Sequence, residues 1–314
     1  MSESTPRASA RFLPTFKWPE GRRMNGWTIG VIGGSGLYTV NALEDPRWIT
    51  VDTPWGAPSD QLLTGRIGTV EFVFLPRHGR DHRLPPSNVN ARANVDALKR
   101  AGCTDVVAIS AVGSLREDLS PGQFVLVDQF IDRTFARDNS FFGPGMVAHV
   151  SMADPTCPRL SGLCADAARA AGATVVPGGT YLAMEGPQFS SRAESLLYRQ
   201  WGCDVIGMTA MPEAKLAREA ELPYALVGMV TDYDCWRGGE DAVEVAAVIA
   251  QLMANAEVGR DLVVRLARML PAERPASPID TALDSAIITA PDARDPALLA
   301  KLEAVCGRVT AAQR

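Results

Sequence analysis

Apolar runs of strand length alternate with helix-period segments along most of the chain. "TIGVI" (28–32) leads into a cluster of glycines, and "EFVFLP" (71–76) leads into "RHGR". The helix-like "NVNARANVDALKRAG" precedes "DVVAIS" (105–110), and "QFVLVDQFI" (123–131) comes after the turn "SPG". After a loop rich in Gly, Pro and Phe (139–158), "RLSGLCADAARAAG" is amphipathic and ends at a glycine stop. Then come "TVVPGGTYLAME", the helix-like "SSRAESLLYRQWG", "DVIGMT" (204–209), and "MPEAKLAREAE" with Pro at a helix start. "PYALVGMVTD" and a long helix from about 240 to 270 complete the core. This alternation predicts a single α/β domain around a mostly parallel or mixed sheet, with no repeat and no internal linker.

The same pattern divides the chain into three segments. Residues 1–26 read as a flexible N-terminal arm, and its "MSESTPRASARFLPTFKWPEGRR" lacks the apolar stretch of a secretory signal. Residues 27–270 hold the body of the fold. Residues 271–314 begin at the Pro-rich break "MLPAERPASP" and carry a strand- or helix-like "ALDSAIIT" and a final helix near 296–312. Such an appendage is expected to dock on its own core or on a neighbouring subunit.

Composition narrows the function class. The 314 residues are 46% apolar and 21% charged, enough for a full core. A net charge of -5 argues against a nucleic-acid surface, though not against a small anion held by local groups. Six scattered cysteines without a C-x-x-C, and only three histidines, give no zinc spacing, so no metal is expected. Scattered thiols suit a reducing cytosol, and a cytoplasmic location is expected. No run approaches the roughly 18 to 20 apolar residues of a membrane span, so no membrane partner is expected.

In open α/β sheets ligands bind beyond the carboxyl ends of strands, so the residues just after each strand are the candidates for chemistry. Gly33, Gly34, Ser35 and Gly36 come after the first run; Arg77, His78 and Gly79 come after "EFVFLP". Ala111, Val112, Gly113 and Ser114 succeed "DVVAIS", Thr209 succeeds "DVIGM", and "TDYD" succeeds "ALVGMV". The "GGSG" turn suits a phosphate oxygen, yet a glycine turn is more often only a tight turn. It lacks the third glycine of a dinucleotide fingerprint and the Lys-Ser or Lys-Thr of a Walker loop. That weighs against a dinucleotide-dependent oxidoreductase. Arg77 can fork two hydrogen bonds to an oxyanion and His78 adds a donor, against the bland alternative of a solvated basic loop. With Ser35, Ser110 and Thr209 the set reads as a pocket for free inorganic phosphate. In "MEGPQFSSR", Glu185 could accept from ribose hydroxyls or pair with Arg192, and Phe189 reads first as core.

Eight blocks in order, "IGGSGL", "VDTPWGAPSD", "RHGR-H", "GSLRE", "VDQFIDRT", "EGPQFSSRAES", "DVIGMT-MPEAKLARE" and "TDYDCW", closely resemble the 5′-methylthioadenosine phosphorylases of the trimeric purine nucleoside phosphorylase family. The resemblance runs from about residue 28 to 270 and makes 27–270 a nucleoside phosphorylase domain. It implies a central, mixed, partly barrel-like β-sheet surrounded by helices, assembled as homotrimers or pairs of trimers. It implies phosphate held by Ser35, Arg77, His78, Ser110, the backbone at Ala111, and Thr209. Met208 would lie under the ribose, Phe189 would flank the purine, and Asp232 and Asp234 would read the base. Ser190, Val245 and Val248 match positions tied to substrate choice, as do His82 and His149 at the 5′ end of the sugar, with His149 offered by the adjacent subunit. Gly207 departs from relatives that carry a polar Asn there.

The implied reaction is phosphorolysis of 5′-methylthioadenosine, with phosphate as co-substrate and no cofactor. An acid plus a carboxylate complements N7 and the 6-amino group of adenine, whereas a 6-oxopurine is better served by an amide donor. Val245 and Val248, three apart on one helical face, would wall an apolar 5′ substituent. The alternatives are a phosphorylase for inosine, guanosine or 5′-methylthioinosine, and a non-catalytic nucleoside-binding protein, which would require a broken site.

Overall fold

In the computed structural model, which describes residues 26–34, 36–37, 40–237 and 245–312, the alternating pattern becomes one mixed sheet of eleven strands with helices on both faces. The strands are β1 (Thr28–Gly33), β2 (Glu44–Ile49), β3 (Leu62–Ile67), β4 (Val70–Pro76), β5 (Asp105–Ser114), β6 (Phe124–Val127), β7 (Gln129–Asp132), β8 (Val175–Pro177), β9 (Thr180–Ala183), β10 (Val205–Gly207) and β11 (Tyr224–Asp232). The α-helices are α1 (Ala91–Arg100), α2 (Pro158–Ala170), α3 (Arg192–Gln200), α4 (Ala210–Glu219), α5 (Val245–Met269), α6 (Pro296–Lys301) and α7 (Glu303–Ala312).

Helix boundaries obey local chemistry. Asn90 caps α1 by accepting from the Ala93 N–H. Ser191 and Glu194 form a reciprocal capping box on α3. In α4, Met211 is still extended (φ -112°, ψ 132°), so regular helix begins at Pro212, where the proline predicts a start.

The long strand β5 organises the sheet. Parallel β11 lies along one edge from Val106 to Gly113. On the other edge β1 pairs as far as Ala108, and antiparallel β10 pairs only at Gly113 and Ser114. Between them no described strand covers that edge of β5, and a gap opens in the sheet there. Side chains of β5 and β11 alternate between two cores, as period two requires. Val107, Ile109, Ala225, Val227 and Met229 pack with α2 and α5. Val106, Ala108, Val112, Leu226 and Val230 pack on the side of α1, α4 and α7.

Two expected strands are each broken in the middle. "QFVLVDQFI" divides into β6 and β7 at Asp128, and "TVVPGGTYLAME" divides into β8 and β9 at Gly178–Gly179. The register is the same on both sides of the break (Leu126 opposite Pro177, Gln129 opposite Thr180), so the halves form one bent parallel ribbon. Its first half joins β11 through β6, and its second half joins β10 through β9. Because β10 and β11 both pair with β5, the ribbon closes that part of the sheet into a barrel. Asp128 and Gly179 hold the bend by exchanging hydrogen bonds of 3.2 Å (Asp128 N–H to the carbonyl) and 3.0 Å (Gly179 N–H to the carboxylate).

The stretch after residue 270 returns to the same chain. "ALDSAIIT" is turn rather than regular strand or helix, with a single bridge from Ile287 to Ala148. Leu283, Leu302, Val305, Cys306 and Val309 are buried in the α1/α4 core.

Candidate active site

The C-terminal ends of β1, β4, β5, β10 and β11 converge on a cavity of about 310 Å³ beside the uncovered edge of β5. That volume suits a small ligand. The cavity is lined by Arg77, His78, His82, Ser110, Ala111, Met208, Thr209, Phe189, Asp232, Asp234 and Val248, all read as site residues from the sequence. Ser35 and residues 238–244 lie outside the described residues, as does the side chain of Val245. Ser190 is not on the wall; its hydroxyl donates to the Met184 sulfur and its carbonyl accepts from the Cys235 thiol. His149 lines a separate concavity with Asn139, Lys215 and Glu219.

Arg77 is held almost wholly inside the protein. Its Nε and Nη2 fork onto the carboxylate of Glu213 on α4, and Nη1 donates to the Ile109 carbonyl at 3.3 Å. Three of five N–H donors are therefore used, which leaves one on each terminal nitrogen for a ligand. Glu213 offsets the charge, so the anion would be met by directed donors rather than by a free cation. Beside Arg77 the hydroxyls of Ser110 and Thr209 lie 3.1 Å apart, brought together from β5 and the start of α4.

His78 is also set by its surroundings. Burial and then the charge of Arg77 pull its imidazole down to about 4, so it is neutral at pH 7. Its Nδ1 lies 2.8 Å from the Leu84 carbonyl, which requires the proton on that nitrogen. The ring stacks on His82 with centroids 4.3 Å apart.

The two acids sit further along the same strand. Asp232 accepts from the Thr231 hydroxyl (2.7 Å) and the Asp234 N–H (2.8 Å). Burial raises the carboxyl of Asp234; the Ser195 hydroxyl opposes this and the neighbouring Asp232 adds to it. Asp234 Oδ2 is buried without a hydrogen-bond partner of good geometry. Gly113 makes room for the pair: a β-carbon there would stand 3.0 Å from Asp232 Oδ1. Because Ser110 and Gly113 are three residues apart on β5, the hydroxyl cluster and the acid pair are separated by roughly 10 Å of strand. Phe189 is half-exposed at the cavity wall, not in the core.

Glu185 does not pair with Arg192. Burial works against its charge, but the Ser87 hydroxyl, the N–H groups of Phe135 and Ala136, and Arg137 outweigh it and hold the carboxyl at about 2. Arg192 donates instead to the Cys235 carbonyl. Sequence reading missed Glu213, Arg137 and the apolar wall of Leu37, Met229 and Leu252. An acid in the first turn of a helix and an arginine in a polar loop carry no local sign of burial. Among the described residues no group of three or more His, Cys, Asp or Glu could hold a metal ion, and no helix is long and apolar enough to cross a membrane.

Residues 28–268 match the profile of the Phosphorylase superfamily. The chain is 63% identical over 283 residues to the S-methyl-5′-thioadenosine phosphorylase of Cereibacter sphaeroides, covering 90% of this chain and 98% of that one. It is 56% identical to the enzyme of the same name from Bradyrhizobium diazoefficiens, covering 90% and 97%. Among solved structures, a methylthioadenosine phosphorylase from an antarctic soil metagenomic library superposes with a TM-score of 0.84 at 46% identity, covering 88% of this chain and 98% of that one. The methylthioadenosine phosphorylase of Schistosoma mansoni in complex with adenine gives 0.75 at 40% identity, covering 79% and 93%.

Proposed function

This chain belongs to the Phosphorylase superfamily, and from that premise we infer that it is a nucleoside phosphorylase that converts S-methyl-5′-thioadenosine and phosphate to adenine and 5-methylthioribose 1-phosphate. This is a pentosyl transfer that serves purine and methionine salvage. The observation that carries the reading is the pairing, in one cavity, of an oxyanion-sized donor cluster with two carboxyl groups further along β5.

In this mechanism a phosphate oxygen forms a bond to the anomeric carbon as the bond from that carbon to purine N9 breaks. The electron pair flows into the purine, and a carboxyl proton neutralises it at N7. Arg77, Ser110, Thr209 and the backbone at Ala111 would hold the phosphate where positive charge develops on the sugar. His78, neutral with its proton on Nδ1, would accept from a protonated phosphate oxygen through Nε2. Burial raises the carboxyl of Asp234, so it would be the member that carries the proton and donates it at N7, while Asp232 would accept from the 6-amino group. Met208 would lie under the ribose and Phe189 against the base. Val248, with Leu37 and Leu252, gives an apolar wall on which a methylthio group fits better than an unpartnered hydroxyl.

The same reading carries a homotrimer, or a pair of trimers, in the cytoplasm, with His149 serving a neighbouring subunit's cleft. Its position in a concavity apart from its own chain's cavity supports that. The test is base release from methylthioadenosine, adenosine, inosine and methylthioinosine in turn, with and without phosphate. Phosphate-dependent release of adenine, fastest from methylthioadenosine, is expected; release without phosphate, or preference for the 6-oxopurines, contradicts the reading.

A further inference from the structure

The segment from Gly207 to Met211 joins β10 to α4 and lines the cavity with Gly207, Met208 and Thr209. Two side chains grip it, and neither is on the cavity wall. Arg137 comes from the loop after β7. Its Nη1 donates to the carbonyls of Met208 (2.6 Å) and Met211 (2.7 Å). Its Nη2 donates to those of Glu185 (2.5 Å) and Met184 (3.4 Å), and its Nε to the Glu185 carboxylate (3.2 Å). All five donors of the guanidinium are thereby used by the protein, in contrast to Arg77, so none is left for substrate. Glu185 is itself fixed by Ser87 and by the N–H groups of Phe135 and Ala136.

Tyr181 grips the other end. It is fully buried on β9, and its hydroxyl accepts from the Thr209 N–H at 3.3 Å. The same hydroxyl occupies the space where a side chain at 207 would start: a β-carbon on Gly207 would lie 2.1 Å from it and 2.7 Å from the ring carbon that bears it. Glycine at 207 and tyrosine at 181 are thus two halves of one fitting. The phenol reaches in from the next strand, fills the space a side chain at 207 would need, and holds the backbone of Thr209.

We propose that Tyr181 and Arg137 are positioning residues, which fix the Met208–Thr209 segment from outside the cleft so that the Thr209 hydroxyl stays beside Ser110 and the ribose floor stays in place. This rests on the phosphorolysis reading, because the work assigned to Thr209 is binding phosphate. Neither residue touches substrate; both act through the segment they hold.

The test is a double-mutant cycle on the phosphate KM. Tyr181→Phe keeps the ring but leaves the Thr209 N–H without its acceptor, and it is expected to raise the phosphate KM roughly tenfold. In a Thr209→Ala background the same change should add less than twofold, since there is no hydroxyl left to aim. A purely structural tyrosine would cost the same in both backgrounds, and that result, or a parent-like KM in Tyr181→Phe, overturns the proposal for Tyr181. Arg137→Ala should raise KM for both substrates, and guanidinium ions well below denaturing concentration should restore it, because concavities lined by Arg137 open beside its site. A folded Arg137→Ala enzyme with parent KM values overturns the proposal for Arg137. If the parent enzyme shows no phosphate-dependent turnover, the phosphorolysis reading itself has failed and this proposal goes with it.

Discussion

At the scale of single residues, the proposed base recognition rests on the acid pair. Asp232 is tied by a hydroxyl and a backbone N–H, whereas Asp234 keeps a buried oxygen without a partner and a carboxyl raised by burial. A buried, unpaired acceptor is costly unless a proton or a ligand donor meets it. We expect Asp232→Asn to lower kcat/KM for methylthioadenosine by roughly two to four orders of magnitude, while improving methylthioinosine relative to it. Steady-state rates on both nucleosides check this, and an unchanged preference removes Asp232 from base recognition. Most wall residues were legible in the sequence because they succeed strands in glycine-, hydroxyl- or charge-bearing turns. The partner of Glu185 was not legible, since Arg137 is 48 residues away and arrives only with the fold. Phe189 misleads in the opposite direction: burial statistics favour a core aromatic, and the structure leaves it half-exposed at the cavity.

At the scale of elements, α4 shows where pattern reading stops. "MPEAKLAREAE" looks like a charged surface helix, yet Glu213 and Glu219 are both buried. Glu213 is offset by Arg77 and a 3.3 Å hydrogen bond from Tyr224. Among the described residues Glu219 has no ion-pair partner: it accepts from the Ser140 hydroxyl and from the Phe141 N–H, each under 3 Å. Burial outweighs these two bonds and pushes its carboxyl from 4.5 up to about 7. An acid raised by folding binds its proton more tightly in the native state. Its contribution is therefore complete below about pH 4.5 and lost as pH rises through about 7. The loss is of order 3 kcal/mol. Thermal unfolding between pH 5 and 8 should fall less steeply for Glu219→Gln than for the parent; parallel slopes would show that Glu219 is already ionised at pH 5. Edge strands are the other miss. In β2, "EDPRWI" carries a proline, a bulge between Glu44 and Arg47, and exposed side chains at every position but Ile49, so it offers no apolar run to read.

At the scale of the whole molecule, the ion pairs of the strand starts and the cavity occupy opposite ends of the strands. Asp105 opens β5 and is bound by Arg159 and Arg274; Glu221, just before β11, is bound by Arg308 at 2.5 Å. The contacts of Arg274 and Arg308 fasten the C-terminal stretch to the strand starts, while the cavity lies at the strand ends. We expect Leu302→Ala, at a fully buried site in that stretch, to cost about 2–5 kcal/mol in urea unfolding with KM values unchanged at 25 °C. A shift in KM would mean that the two ends are coupled. The α/β class and the mixed sheet could be read from the alternation of runs, whereas the barrel closure was expected from the family resemblance alone, because it depends on two strands bending together at Asp128 and Gly178–Gly179. The most direct measurement is a crystal structure with sulfate and methylthioadenosine bound. The account predicts sulfate within hydrogen-bond reach of Arg77, Ser110 and Thr209, and the adenine edge against Asp232 and Asp234; either ligand seated elsewhere contradicts it.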